Sequence, residues 1–188
     1  MPTVTRSLAW VPASHPGFEG ATVTISPRGS IAVGHITAEA TAEGGAYDVD
    51  YRIECDEAWR TRHVRVTESF TSRSVELWST GDGHWNGDDG RLLLGLIDAI
   101  DVDLSATPFS NTLPVRRLGL ALGQSADIVA AYIDIPSLRV SADRQRYTRT
   151  GPSTYRYSSI DGSFVSDVEV DDEGFVVDYP GLFSRVGR

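Results

Sequence analysis

Two rows of carboxylates are the residues in this sequence best placed to do chemistry. In "AIDVDL", Asp101 and Asp103 alternate with Ile100, Val102 and Leu104, so an extended chain puts both on one face, with Asp98 just upstream. In "SDVEVDDEG", Asp167, Glu169 and Asp171 form a second same-face row, followed by Asp172 and Glu173. Rows of oxygen ligands can hold Mg²⁺ or Ca²⁺, so a divalent-metal-dependent hydrolase or phosphohydrolase is one function open to the chain. The same alternation also describes a solvated strand face that keeps a sheet from aggregating. The rhythm from Asp167 follows a calcium loop only part of the way, because Asp172 stands where that loop requires glycine.

Other catalytic templates fit less well. "GQSAD" (Gly123 to Asp127) lacks the second glycine of a nucleophile elbow. "GDGHWNG" has neither the glycine spacing of a dinucleotide fingerprint nor the Lys-Ser/Thr of a phosphate loop, and reads as a loop capped by Trp85. His15, His35, His63 and His84 are scattered singly, and the lone Cys55 excludes an internal disulfide and a cysteine-based zinc site. The expectation is no cofactor and no metal.

All 17 basic residues are arginine, and two of them are adjacent in "TPFSNTLPVRRL". Pro108 and Pro114 stiffen this stretch and push Thr107 and Leu113 towards extended conformations. Asn111 and Thr112 can bond the local main chain or cap a short turn beginning at Leu113. Consecutive residues diverge by about 100° on a helix and face opposite ways on a strand. One of Arg116 and Arg117 can therefore reach a ligand while the other pairs with an aspartate. The reading is an architectural joint in which Asn111 bonds nearby backbone.

The elements that must position these groups are mostly strands. "AYDVDYRIEC" sets Tyr47, Val49, Tyr51, Ile53 and Cys55 against Asp48, Asp50, Arg52 and Glu54, a half-buried antiparallel strand. "RHVRVTE", "RSVELWS" and "ADIVAAYID" are rich in β-branched and aromatic residues. Asp167–Asp178 reads as a hairpin closed by an acidic, glycine-ended turn. Only "LLLGLIDAI" and the Pro114-started "LPVRRL" look helical. The predicted fold is mainly β: a single domain over residues 1–188, with an antiparallel sheet curled into a barrel or half-barrel and one or two short helices.

Composition narrows the partners. The chain has 188 residues, 40% hydrophobic and 23% charged, with a formal net charge of −9. That balance argues against nucleic acid, which needs a basic face, and against charge-driven binding to an anionic membrane. No apolar run approaches a membrane span, and "MPTVTRSLAW" lacks the layout of a signal peptide. The expectation is a soluble, cytoplasmic protein without membrane insertion.

"DVDLSATPFSNTLPVRRL", "RYTRTGPSTYRYSS" and "VDDEGFVVDYPGLFSR", with "YRIECDEAWRTRHVRV" and the early "LAW", resemble the motifs of the bacterial putative glycolipid-binding family, formerly filed as a domain of unknown function. The resemblance runs in order from about Trp10 to Arg185. It implies one β-rich, barrel-like domain that binds a glycolipid or similar amphiphile without catalysis, and it supplies no catalytic residues. Beside it, the residues themselves suggest an apolar cavity in a curled sheet with a polar, aromatic mouth. Trp85, Arg116, Arg117, Tyr147 and Tyr155 are the candidate ligand-binding residues, with Tyr157 and Tyr179 as further aromatics for the mouth. Each aromatic also fits a role in cross-strand packing. A protein that interacts through its surface and holds no small ligand is the third function open to the chain.

Overall fold

The computed structural model describes residues 2–42 and 45–187. Seven strands follow one another as an antiparallel meander: β1 (Val4–Pro12), β2 (Gly17–Ser26), β3 (Gly29–Ala38), β4 (Tyr47–Cys55), β5 (Thr61–Glu68), β6 (Arg73–Ser79) and β7 (Trp85–Gly87). A 3₁₀ turn at Leu94–Leu96 leads to β8 (Ala99–Leu104), helix α1 (Phe109–Leu118) and β9 (Ser125–Ile133). The chain then meanders back through β10 (Val140–Arg149), β11 (Thr154–Ser159), β12 (Val165–Val170), β13 (Val176–Tyr179) and β14 (Phe183–Arg185). Strand β14 pairs with β1, Trp10 opposite Arg185, and so joins the halves into one 14-stranded sheet with β7 and β8 at its edges.

The sheet is nearly closed into a barrel, and isolated hydrogen bonds span the seam where no ladder runs. Val102 N donates to Thr61 Oγ1 at 3.2 Å, Trp85 Nε1 to Ala99 O at 2.7 Å, and Asp98 N to Gly83 O at 3.0 Å. These bonds satisfy backbone groups that an open edge would leave exposed. They also account for Trp85, which is fully buried at this seam.

Among the described residues only β8 and β9 pair in parallel, and a parallel pair needs a crossover. "TPFSNTLPVRRL" supplies it as α1. The helix begins at Phe109, five residues before the expected start, and Pro114 lies inside it. Proline at that position removes only the bond that the Ser110 carbonyl would have accepted, and Gly119 in the left-handed conformation ends the helix. Phe109 to Val115 are all buried, so the helix shows no face to solvent over these two turns and sits inside the curl. Such a helix carries no amphipathic stripe. "LLLGLIDAI", the other helical candidate, forms the 3₁₀ turn and, from Ala99, the start of β8.

Helix α1 divides the interior. Phe109 and Leu113 join Trp10, Tyr51, Trp85 and Phe175 in one cluster, with the Phe109 ring stacked on Tyr51 at 6.4 Å. Val115 joins Tyr147, Tyr155, Tyr157, Val168 and Tyr179 in the other. The C-terminal hairpin forms as expected from β12 and β13. Asp171 Oδ1 caps its turn, accepting from Glu173 N at 3.0 Å and Phe175 N at 2.9 Å, while Gly174 takes the positive φ.

Candidate functional site

A pocket of about 500 Å³ opens where the N-terminal half of α1 meets β8–β11 and the β13–β14 turn. Strand periodicity builds its floor. Asp143, Gln145 and Tyr147 lie at alternate positions of β10 and therefore share a face. Register places Tyr157 of β11 opposite Tyr147, with the two rings edge-on at 5.5 Å. Asp103 comes from β8 and Asn111 from α1.

One buried amide organises the carboxylates. Gln145 Nε2 donates to Asp103 Oδ2 at 2.6 Å and to Asp143 Oδ2 at 2.9 Å. Both N–H groups of the amide are thereby used. Tyr157 OH donates to Asp143 Oδ2 at 3.4 Å, and Asn111 Nδ2 donates to Tyr147 OH at 2.8 Å. Burial pushes the Asp103 carboxyl up to about 6, against the lowering effect of the Gln145 bond; the charges of Asp143 and Asp101 raise it further. The rest of the wall is largely aromatic and aliphatic. Rings of Tyr157, Phe164 and Tyr179 lie 5.9–6.3 Å from one another, beside Leu182 and Phe183. A pocket lined both by acceptors and by aromatic and aliphatic side chains suits a ligand with a polar head and an apolar part.

Behind the pocket lies a carboxylate that the motif reading passes over. Thr107, on the pocket wall, donates its hydroxyl to Glu19 Oε1 at 2.6 Å, and Tyr51 OH donates to the same oxygen at 2.7 Å. Glu19 Oε2 is buried without a hydrogen-bond partner, beside a void of about 10 Å³. Desolvation raises the Glu19 carboxyl from 4.5 to about 7, although both hydroxyls pull it down. Tyr51 reaches Glu19 only because Gly34 faces it across β3 and β4: a Cβ there would lie 2.2 Å from Tyr51 Cζ. The sequence did carry a signal, since Glu19 is in phase with the buried Ala21 and Val23 on β2.

The five expected ligand residues do not converge. Trp85 is a seam residue of the core. Arg117 forks onto Asp101 at 2.9 and 2.6 Å, with the carboxylate only 1% exposed. Arg116 lies over the Trp59 ring at 4.0 Å and donates to the Glu173 carbonyl. Together with Tyr155 and Arg149 it lines a separate depression of about 700 Å³ on the far side of α1. Tyr147 lies under the first pocket, fully buried, while Tyr157 and Tyr179 stand in its wall. One arginine of the pair meets a carboxylate, as expected. Asn111, however, bonds Tyr147 through its side chain and leaves the local main chain alone, because the buried helix turns it towards β10.

The aspartate rows are taken up piecemeal. Arg156 holds Asp167 and Arg185 holds Asp171, at 2.8 and 2.6 Å. Among the described residues no group of three or more His, Cys, Asp or Glu side chains is arranged to hold a metal ion. In "GQSAD", Ser125 bonds Thr148 and Asp127 pairs with Arg146, so neither is set against a histidine base. No helix among the described residues is long and apolar enough to cross a membrane.

The model of the family described as "Putative glycolipid-binding" matches residues 7–185. A crystal structure of a DUF1089 family protein from Pseudomonas aeruginosa is similar to this chain, with 37% identity over 89% of this chain and 92% of that one, and a TM-score of 0.80. No curated protein matches. With a match over nearly its whole length, a barrel crossed by α1 and the motif segments folded together around that helix, this chain belongs to the putative glycolipid-binding family.

Proposed function

We propose that the protein binds a glycolipid-like amphiphile without transforming it, and that the pocket between Asp103 and Phe183 is where it does so. The observation that carries this reading is that two carboxylates ordered by one amide and a cluster of aromatic rings line the same pocket. The family description points to the same ligand class. The head group lies against Asp103, Asp143 and Asn111, and the apolar part runs along Phe164, Leu182 and Phe183. A long acyl chain threaded through the barrel is disfavoured, because α1, Phe109 and Leu113 already fill that space.

Each methylene seated against the aromatic wall contributes about 0.8 kcal/mol, roughly fourfold in affinity. Calorimetric titration with alkyl glucosides, each below its micelle concentration, tests the reading. Affinity should climb over the first several methylenes, level off as the wall is covered, and stay the same when chelator is added. Equal binding of glucose and its alkyl glycosides would defeat the proposal, as would metal-dependent turnover of the ligand.

A further inference from the structure

Two aspartates on the same strand are treated differently. Asp101 has its own cation, the forked guanidinium of Arg117. Asp103, two residues on, is held by a neutral amide, and Asp143 by that amide and a phenol. Elsewhere the fold supplies arginines freely: Asp127, Asp167 and Asp171 each have one. Yet among the described residues no arginine or histidine pairs with Asp103 or Asp143, and none lines their pocket. Two carboxylates bridged by one amide thus have no counter-charge in the pocket to offset them. The amide also leaves them acceptor capacity, since each carboxylate offers about four lone-pair sites. The rings of Tyr157, Tyr179 and Phe164 line the same pocket, and aromatic rings attract cations.

We propose that the head group this pocket selects is positively charged: a primary ammonium, as on an amino sugar, that seats against Asp103 and Asp143. This rests on the amphiphile reading above and narrows its ligand class. Three N–H donors can meet both carboxylates and a pocket hydroxyl, in charge-assisted bonds that a neutral sugar does not make. A phosphate, sulfate or uronate head would face two negative charges.

The test uses hexyl glycosides of glucosamine, N-acetylglucosamine, glucose and glucuronic acid, titrated calorimetrically into the full chain at neutral pH and low salt. The glucosamine glycoside should bind about tenfold tighter than its N-acetylated form, with the preference shrinking as salt is added, and the glucuronide should bind most weakly. Asp143→Asn should shrink the preference severalfold, the amine losing more affinity than its N-acetylated form; an unchanged preference would count against the charge inference. If that variant fails to fold, the comparison of ligands on the unaltered protein decides the matter alone. Equal affinity for the amine and its N-acetylated form overturns the charge inference and leaves the amphiphile reading standing. If no alkyl glycoside binds at all, both fall.

Discussion

Replacing Glu19 by glutamine tests how well the interior behind the pocket is understood. The carboxyl is 2% exposed, its Oε1 accepts two hydroxyls, and its Oε2 has no partner. Burial raises it from 4.5 to about 7, so the folded protein holds this proton at pH values where the unfolded chain has released it. Below about 4.5 both states are protonated and the group costs nothing. As pH rises from there through about 7, the unfolded state gains ionisation that the folded state resists, and stability is lost. Above about 7 the loss is complete and amounts to roughly 3 kcal/mol. Glutamine keeps an acceptor for Tyr51 and Thr107 but never ionises. Urea denaturation of both proteins at pH values from 4.5 to 8.5 gives the difference in unfolding free energy, in which titrations common to both cancel. That difference should shift in favour of Glu19→Gln by about 3 kcal/mol across the range, most of it between pH 5 and 7. Parallel curves would refute the reasoning, and a difference moving the other way would mean the carboxylate is stabilised by something the geometry omits.

Three more substitutions probe the frame around the site. Gly34→Ala forces a Cβ into the Tyr51 ring, and should lower stability by about 1–3 kcal/mol in thermal or urea melts; an unchanged melting temperature would contradict the close approach. Arg117→Ala strips the cation from the buried Asp101 and should cost about 3–5 kcal/mol, with Asp101→Asn in the same background recovering much of it; no recovery would mean that lost packing, not stranded charge, is the cause. Asn111→Ala leaves the buried Tyr147 hydroxyl without its donor and should cost on the order of 1–3 kcal/mol, measured as a shift in the urea midpoint; full stability would show that the bond is dispensable.

Alternation made the sheet legible, because a half-buried strand writes its burial into every second residue. Tyr47–Cys55 and the Asp167–Asp178 hairpin were readable for that reason. "AIDVDL" misled on the same grounds. Its alternation places both aspartates on a solvated face, but the pairing is irregular between Ala99 and Asp101, and a helix 16 residues along the chain brings the arginine that lets Asp101 be buried. Helix α1 was half hidden, since a segment surrounded by protein has no reason to keep a polar stripe. The three segments that carry the family resemblance do supply Asp103 and Asn111, Tyr157 and Ser159, and Tyr179 and Phe183 to one pocket. Which of their aromatics face it depends on strand register and on the path of α1, which no spacing within a motif reports. Gln145 was missed although it lies in phase with the buried Tyr147; a polar residue in phase with core neighbours is the signal that finds both it and Glu19.

The most direct test of the account is a crystal structure of the protein with a bound alkyl glycoside. The account predicts the sugar against Asp103 and Asp143, with the alkyl chain along Phe164, Leu182 and Phe183. An ordered glycoside lying instead between Arg116 and Tyr155 across α1, or an alkyl chain displacing Phe109 and Leu113 from the barrel, would contradict it.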